Sequence, residues 1–238
     1  MSTCRLCLEE TELRNSHIVP EFLFSDLYNA EHKFMGVTGI GPKGWVNLQK
    51  GIREHLLCDG CEQLINDEYE KPFKAAWIDK PQFPSQWEIG TVMYGKFDYR
   101  AFKLFHLSIL FRAGVSSLPT FAEVNDPQVI ERMRLMVLSG EPGAFGEFPI
   151  IGCSVVLERT GAFAPIITRP EASSYKGLAC YSMVYGGVQW WVSVSPHRNR
   201  EFEAIGLQRD GTMPLIARPF SEVPIIQFAA DALRRTDT

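Results

Sequence analysis

Cys4-x2-Cys7 and, after fifty intervening residues, Cys58-x2-Cys61 constrain this chain more than any other feature of its sequence. A Cys-x2-Cys turn places two thiolates on one tight knuckle, and two such knuckles complete a closed tetrahedral shell for Zn²⁺. Four sulfur ligands leave no open coordination position, so a metal held by Cys4, Cys7, Cys58 and Cys61 is structural. Zinc is the ion this pattern favours, with an iron–sulfur cluster or a thioredoxin-like dithiol as the alternatives for the same spacing. A redox dithiol calls for a βαβ setting, whereas Cys4 lies almost at the start of the chain.

The other two cysteines, Cys153 and Cys180, then read as small buried hydrophobes in a reducing compartment. A content of 45% hydrophobic and 12% aromatic residues over 238 positions suits a folded body with a sizeable core. The longest apolar runs fall far short of a membrane span, and Met1-Ser2-Thr3-Cys4-Arg5 leads straight into the first knuckle rather than into a signal peptide. The expectation is a cytoplasmic protein with no membrane partner. A net charge of −4 gives no global attraction to nucleic acid, so any such binding must come from a local patch. His32 to Arg53 supplies one, with Lys33, Lys43, Lys50 and Arg53, no Asp or Glu, and glycines at 36, 39, 41, 44 and 51. The stretch reads as a mobile basic loop. Its plain reading is solvation; Trp45 and Phe34 among the cations make it a candidate nucleic-acid surface.

In chain order, the expected class is α+β. Residues 1–78 form a zinc-stabilised module that resembles a treble clef, 79–145 a helical connecting region, and 146–238 a mostly antiparallel sheet closed by a terminal helix. A strand runs to Val19, and Pro20 opens a short helix carrying Phe22, Leu23 and Leu27. An amphipathic helix starts at the second knuckle and kinks or restarts at Pro72. A short strand is expected around Thr91–Tyr94. Asp98 caps a helix to Arg112 that is apolar on nearly all sides, with His106 as a core histidine; Asp126 and Pro127 open another that stops at Gly140. Strands are expected at 148–157, 178–185, 188–195, 202–207 and 213–217, with Gly186-Gly187 and Asp210-Gly211 as hairpin turns. Trp190-Trp191 reads as one core and one surface aromatic, and Pro224 to Arg235 as an amphipathic helix.

A strand histidine with Pro three residues on, Ser16-His17-Ile18-Val19-Pro20, followed by Leu56-Leu57-Cys58-x2-Cys61 entering a helix, resembles the HNH group of ββα-metal nucleases over residues 4 to 75. It also resembles bacterial proteins described only as HNH-like. The resemblance implies a structural zinc, a second catalytic ion, Mg²⁺ or Mn²⁺, at the scissile phosphate, and His17 as the base that activates water. A histidine suits that role because its near-neutral pKa lets it take a proton at cytoplasmic pH. The family's helix position is Glu62 here, with Asn66 one turn later; where a middle Asn is usual this chain has Ile52-Arg53-Glu54-His55. A carboxylate with an amide oxygen suits a hard divalent cation. The implied function is a metal-dependent endonuclease, with DNA favoured over RNA and with His17, Glu62 and Asn66 as catalytic residues. The alternative is a catalytically silent zinc module that binds nucleic acid or a protein. A homodimer or protein contact through the C-terminal region accompanies either reading.

Overall fold

The computed structural model describes residues 2–37, 45–197 and 200–223. The chain begins with two residues of strand, β1 (Ser2–Thr3), paired to β2 (Glu10–Thr11) across the first knuckle. Leu8 adopts a left-handed conformation, φ 65°, which folds the knuckle back so that its N–H reaches Cys4 O at 2.9 Å. β3 (Arg14–His17) then pairs antiparallel with β6 (Arg53–Leu57), His17 opposite Arg53. Ser16, fully buried between the strands, accepts the Leu57 N–H at 3.3 Å. Pro20 turns the chain into a 3₁₀ helix, Glu21–Leu27, whose Phe22 ring lies 6.4 Å from Phe73 and 6.1 Å from Phe105.

The stretch expected as a mobile loop holds a second hairpin, β4 (Phe34–Val37) paired with β5 (Trp45–Leu48). Phe34 explains it: the ring is buried 5.0 Å from Phe24 and anchors a segment whose glycines signalled only freedom. Lys43 lies outside the described residues.

From Cys58 the chain is helical to Asp79, as α1 (Asp59–Ile65), a π turn (Asn66–Glu70), α2 (Lys71–Lys74) and a second π turn (Ala75–Asp79). The wide turn meets the proline. Lys71 N–H bonds Asn66 O, five residues back, immediately before Pro72, which has no N–H to lose, and the helix passes through rather than breaking. Tyr69 on the inner face donates to Val137 O at 2.7 Å.

α3 (Tyr99–Val115) is the axis of the core. Asp98 caps it by accepting Ala101 N–H at 2.8 Å, and every residue from Ala101 to Ala113 is buried. Polar side chains on such a helix need partners within the protein, and several bond to the helix itself: His106 Nδ1 meets Phe102 O at 2.8 Å, Ser108 donates to Phe105 O at 2.8 Å, and Arg112 Nε donates to Ser108 O at 3.2 Å. Burial drives the His106 pKa down to about 3, so it is a neutral core histidine. α4 (Pro127–Ser139) is capped by Asp126 and ends at Gly140, whose φ of 74° closes the helix.

The remaining elements form one six-stranded sheet in the order β7-β12-β8-β11-β10-β9, comprising β7 (Val92–Lys96), β8 (Ile150–Val156), β9 (Glu171–Tyr175), β10 (Leu178–Tyr185), β11 (Val188–Ser193) and β12 (Thr212–Pro219). All pairs are antiparallel except β12 with β8. Gly186 and Gly187, φ 59° and 74°, make the tight turn between β10 and β11. Three expectations change. Residues 202–207 contribute to a short helix, α5 (Arg200–Ile205), rather than to a strand, because Phe202 is drawn onto the sheet face. The Asp210-Gly211 turn leads from that helix into β12 and joins no hairpin. Trp191 is buried like Trp190, since α5 covers the face that Trp191 occupies. Cys153 and Cys180 are buried on that same face, and the expected helix 224–235 lies outside the described residues.

Arg112, 1% exposed, pairs with Glu70 at 2.9 Å and joins α3 to the long helix. Glu70→Ala leaves a buried guanidinium without its counter-charge and should cost about 3–5 kcal/mol of unfolding free energy, read from urea denaturation.

Candidate metal centre and the histidine cluster

The sulfurs of Cys4, Cys7, Cys58 and Cys61 lie within 4.8 Å of one another, with Cys7 and Cys58 Sγ at 3.9 Å. A tetrahedral ion with legs of about 2.3 Å requires sulfur separations of about 3.8 Å, so the set is close to the size of a metal shell. Each side of it has its own anchor. The Cys58 N–H points at Cys4 Sγ at 3.3 Å, and Arg5 N–H bonds Leu56 O at 2.9 Å, tying the first knuckle to the strand that leads to the second. Cys58 stands at the N-terminus of α1, and Arg134 from α4 donates to Leu6 O at 2.6 Å inside the knuckle. Burial pushes the Cys4 thiol up, but the backbone N–H groups of Cys7, Cys58 and Leu6 outweigh it and hold the group down to about 7. Cys61 moves the other way, raised by burial and by the neighbouring sulfurs. As thiolates these four sulfurs could hold one metal ion, and the donor set fits zinc.

His17 ends β3 opposite Arg53, at the end of the strand pair away from this centre, its side chain 22% exposed. Its Nε2 lies 2.7 Å from Glu21 Oε2, a contact made possible because Pro20 reverses the chain between strand and 3₁₀ helix. Arg53, opposite His17 across the hairpin, approaches the same carboxylate oxygen at 3.6 Å, and Tyr28 donates its hydroxyl to the other oxygen. Burial is the main cause that lowers the His17 pKa, aided by Arg53 and by Arg112 behind it and opposed by Glu21. The Glu21 carboxyl is held below its ordinary value: burial raises it, but the Tyr28 hydroxyl and His17 prevail. Tyr28 in turn is pushed up to about 12 by burial and by its bond to Glu21. A neutral imidazole beside a charged carboxylate is therefore the resting state near neutral pH.

Arg53 shares that cluster, and the other residues named from the sequence have surroundings of their own. Glu62 is half-buried in the first turn of α1, and its Oε1 is buried with no hydrogen-bond partner. Asn66 is exposed, and its amide donates to Asp67 at 3.2 Å. Lys33 pairs with Glu31 at 2.8 Å, Lys50 is exposed, and the backbone of Trp45 lies in β5. Arg53 is partly exposed, with its Nε buried and without a hydrogen-bond partner. Among the described residues, no second group of three His, Cys, Asp or Glu side chains gathers around a metal-sized space. Glu21 and Tyr28 were not marked by the sequence reading. The signal was His-x3-Glu spanning a proline, with Tyr28 seven residues on. No described helix is long and apolar enough to cross a membrane. In comparisons with known proteins, the chain matches no family model, no curated sequence and no solved structure.

Cys58→Ser should abolish metal retention, seen by elemental analysis of purified protein as about one bound ion per chain falling to none. The same substitution should unfold the N-terminal segment, seen as loss of amide protection over residues 4–62, because metal-binding free energy is folding free energy at such a site.

Proposed function

We propose that this protein is a zinc-stabilised phosphodiester hydrolase acting on nucleic acid, in which His17 is the general base. The observation that carries the reading is the His17–Glu21 contact, with Arg53 alongside, at the partly exposed end of a hairpin anchored to the four-cysteine centre. Zinc is the ion of the cysteine centre. With four sulfurs around it the ion takes no part in the reaction and holds the hairpin against α1.

The proposed roles follow from charge. Glu21 Oε2, 2.7 Å from Nε2, favours the tautomer with its proton on that nitrogen by charge, leaving Nδ1 to take a proton from water. The water oxygen forms the new bond to phosphorus while the bond to the leaving oxygen breaks, and Glu21 stabilises the imidazolium that results. The Arg53 guanidinium supplies positive charge for the phosphate oxygens. A second divalent ion, which the HNH-like pattern implies, would find an orphaned acceptor in Glu62 Oε1. Its other expected donor, Asn66, faces solvent, so no step is assigned to that ion.

A silent binding module is the alternative, and the absence of a gathered second cation site among the described residues favours it. Plasmid and single-strand cleavage in Mg²⁺, Mn²⁺ or EDTA separates the two. His17→Ala should slow cleavage by roughly 10²–10⁴-fold, the usual worth of a general base, with metal content unchanged. Wild-type protein that cuts nothing under any of these ions would establish the silent reading.

The pH profile carries a sign. The base must be neutral, and its pKa lies below the ordinary 6.5, so cleavage should stay on a plateau through neutral pH and fall only on the acid side of 6.5. Glu21→Gln removes the charge that favours the imidazolium and should move that acid limb to still lower pH.

A further inference from the structure

Next to the His17–Glu21 pair the chain makes a tight loop whose purpose is not explained by packing. Asn29 N–H bonds Lys33 O at 2.8 Å, His32 N–H bonds Asn29 O at 2.9 Å, and the Asn29 side-chain oxygen takes the N–H groups of Glu31 and Lys33 at 3.0 and 2.9 Å. The loop forces His32 into the left-handed region, φ 56°, an uncommon conformation for a residue with a side chain. What that conformation achieves is a stack. The exposed His32 imidazole lies parallel on the Tyr28 ring, centroids 3.9 Å apart and planes 12° apart, while Phe34 meets Tyr28 edge-on at 5.6 Å from the core side. Tyr28 bonds the same Glu21 that holds His17, so the stack and the proposed base share one carboxylate. Lys33, next in the chain, is paired with Glu31 at 2.8 Å.

We propose that His32 stacked on Tyr28 is a platform for an unpaired base, so that the substrate of the His17 site is single-stranded nucleic acid; this rests on the hydrolase reading above. Every base has a π face and stacks on an aromatic ring whatever its sequence, but a base inside a duplex already has both faces covered. An exposed, preformed ring beside a phosphate-directed cluster therefore selects strands whose bases are free. DNA and RNA share that chemistry.

The test is a fluorescence titration of single-stranded oligonucleotides carrying 2-aminopurine, whose emission is quenched on stacking, with the full chain at low salt and without added divalent ion. Matched arms use single-stranded DNA, single-stranded RNA of the same sequence, and the DNA duplex. His32→Asn is the informative variant, because Asn tolerates the left-handed backbone while removing the ring. It should weaken single-strand binding by about 5- to 150-fold, the equivalent of one lost base stack, remove the quench and leave duplex binding unchanged. His32→Trp should restore or strengthen both signals. Unchanged single-strand affinity and quench in His32→Asn overturn the platform even if His17-dependent cleavage is observed. Single-strand binding that depends on His32 in a protein that cleaves nothing keeps the platform and removes the hydrolase. Duplex binding as tight as single-strand binding in the wild type also overturns the proposal.

Discussion

Four sulfurs from the two ends of a fifty-residue excursion meet in one place, and the N-terminal part of the molecule depends on that meeting. β1 and β2 are two residues each, and the hairpins that follow are four to five residues long, too short to stand alone in water. The cysteine centre joins the knuckle, the β3–β6 hairpin and α1 at a single point. The positions of His17 and Arg53 follow, since both lie on strands whose register is fixed where Cys58 begins the helix. Arg134, reaching from α4 to Leu6 O, extends the same junction into the rest of the chain.

The second organising element is α3, which has no solvent face over thirteen residues. A helix in that position must be apolar or must pair whatever is not. His106 stays neutral and bonds its own backbone, and the Arg112 guanidinium is met by the Glu70 carboxylate. Aromatic rings from every direction close around this axis: Phe73 stacks on Phe105 at 3.8 Å, Phe102 on Phe97 at 4.5 Å, and Trp190 meets His106 edge-on at 4.6 Å. The 3₁₀ helix that carries Glu21 is joined to this interior through Phe22, whose ring meets Phe73 and Phe105.

What the sequence made legible were local signals: the paired cysteines, the Asp98 and Asp126 caps, the all-round apolar run of α3, and the Gly186-Gly187 turn. What it hid were features decided by distant partners. The β4–β5 hairpin exists because Phe34 is buried on Phe24, while its own glycines suggested freedom. Residues 202–207 look like a strand until the sheet face that receives Phe202 is known, and Trp191 looks exposed until α5 is placed over it. β9 passed unnoticed because an edge strand reading Glu171-Ala172-Ser173-Ser174-Tyr175 has no apolar face to mark it. The same holds at the site. His17 stood out beside its proline, but its partner Glu21 belongs to another element. Glu62, Asn66 and Glu70 form one stripe on an ideal helix, yet a π turn begins at Asn66 and the register slips, so Glu70 reaches Arg112 while Asn66 remains in water.

The order of strands in the sheet has a consequence for how the protein is made. β7 precedes α3 in the chain, yet its partner is β12, and the paired residues Lys96 and Thr212 are 116 positions apart. β8 likewise waits for β12 on one side while β11 occupies the other. As the polypeptide leaves the ribosome, β7 and the apolar α3 therefore emerge long before the strand that closes the sheet beside them. Pairing over such a separation is slow, because the loop must close before any contact rewards it. Through that interval α3 can pack only on the upstream elements that carry Phe22, Phe73 and Trp77, while the side of it that the sheet will cover waits for strands still to be made.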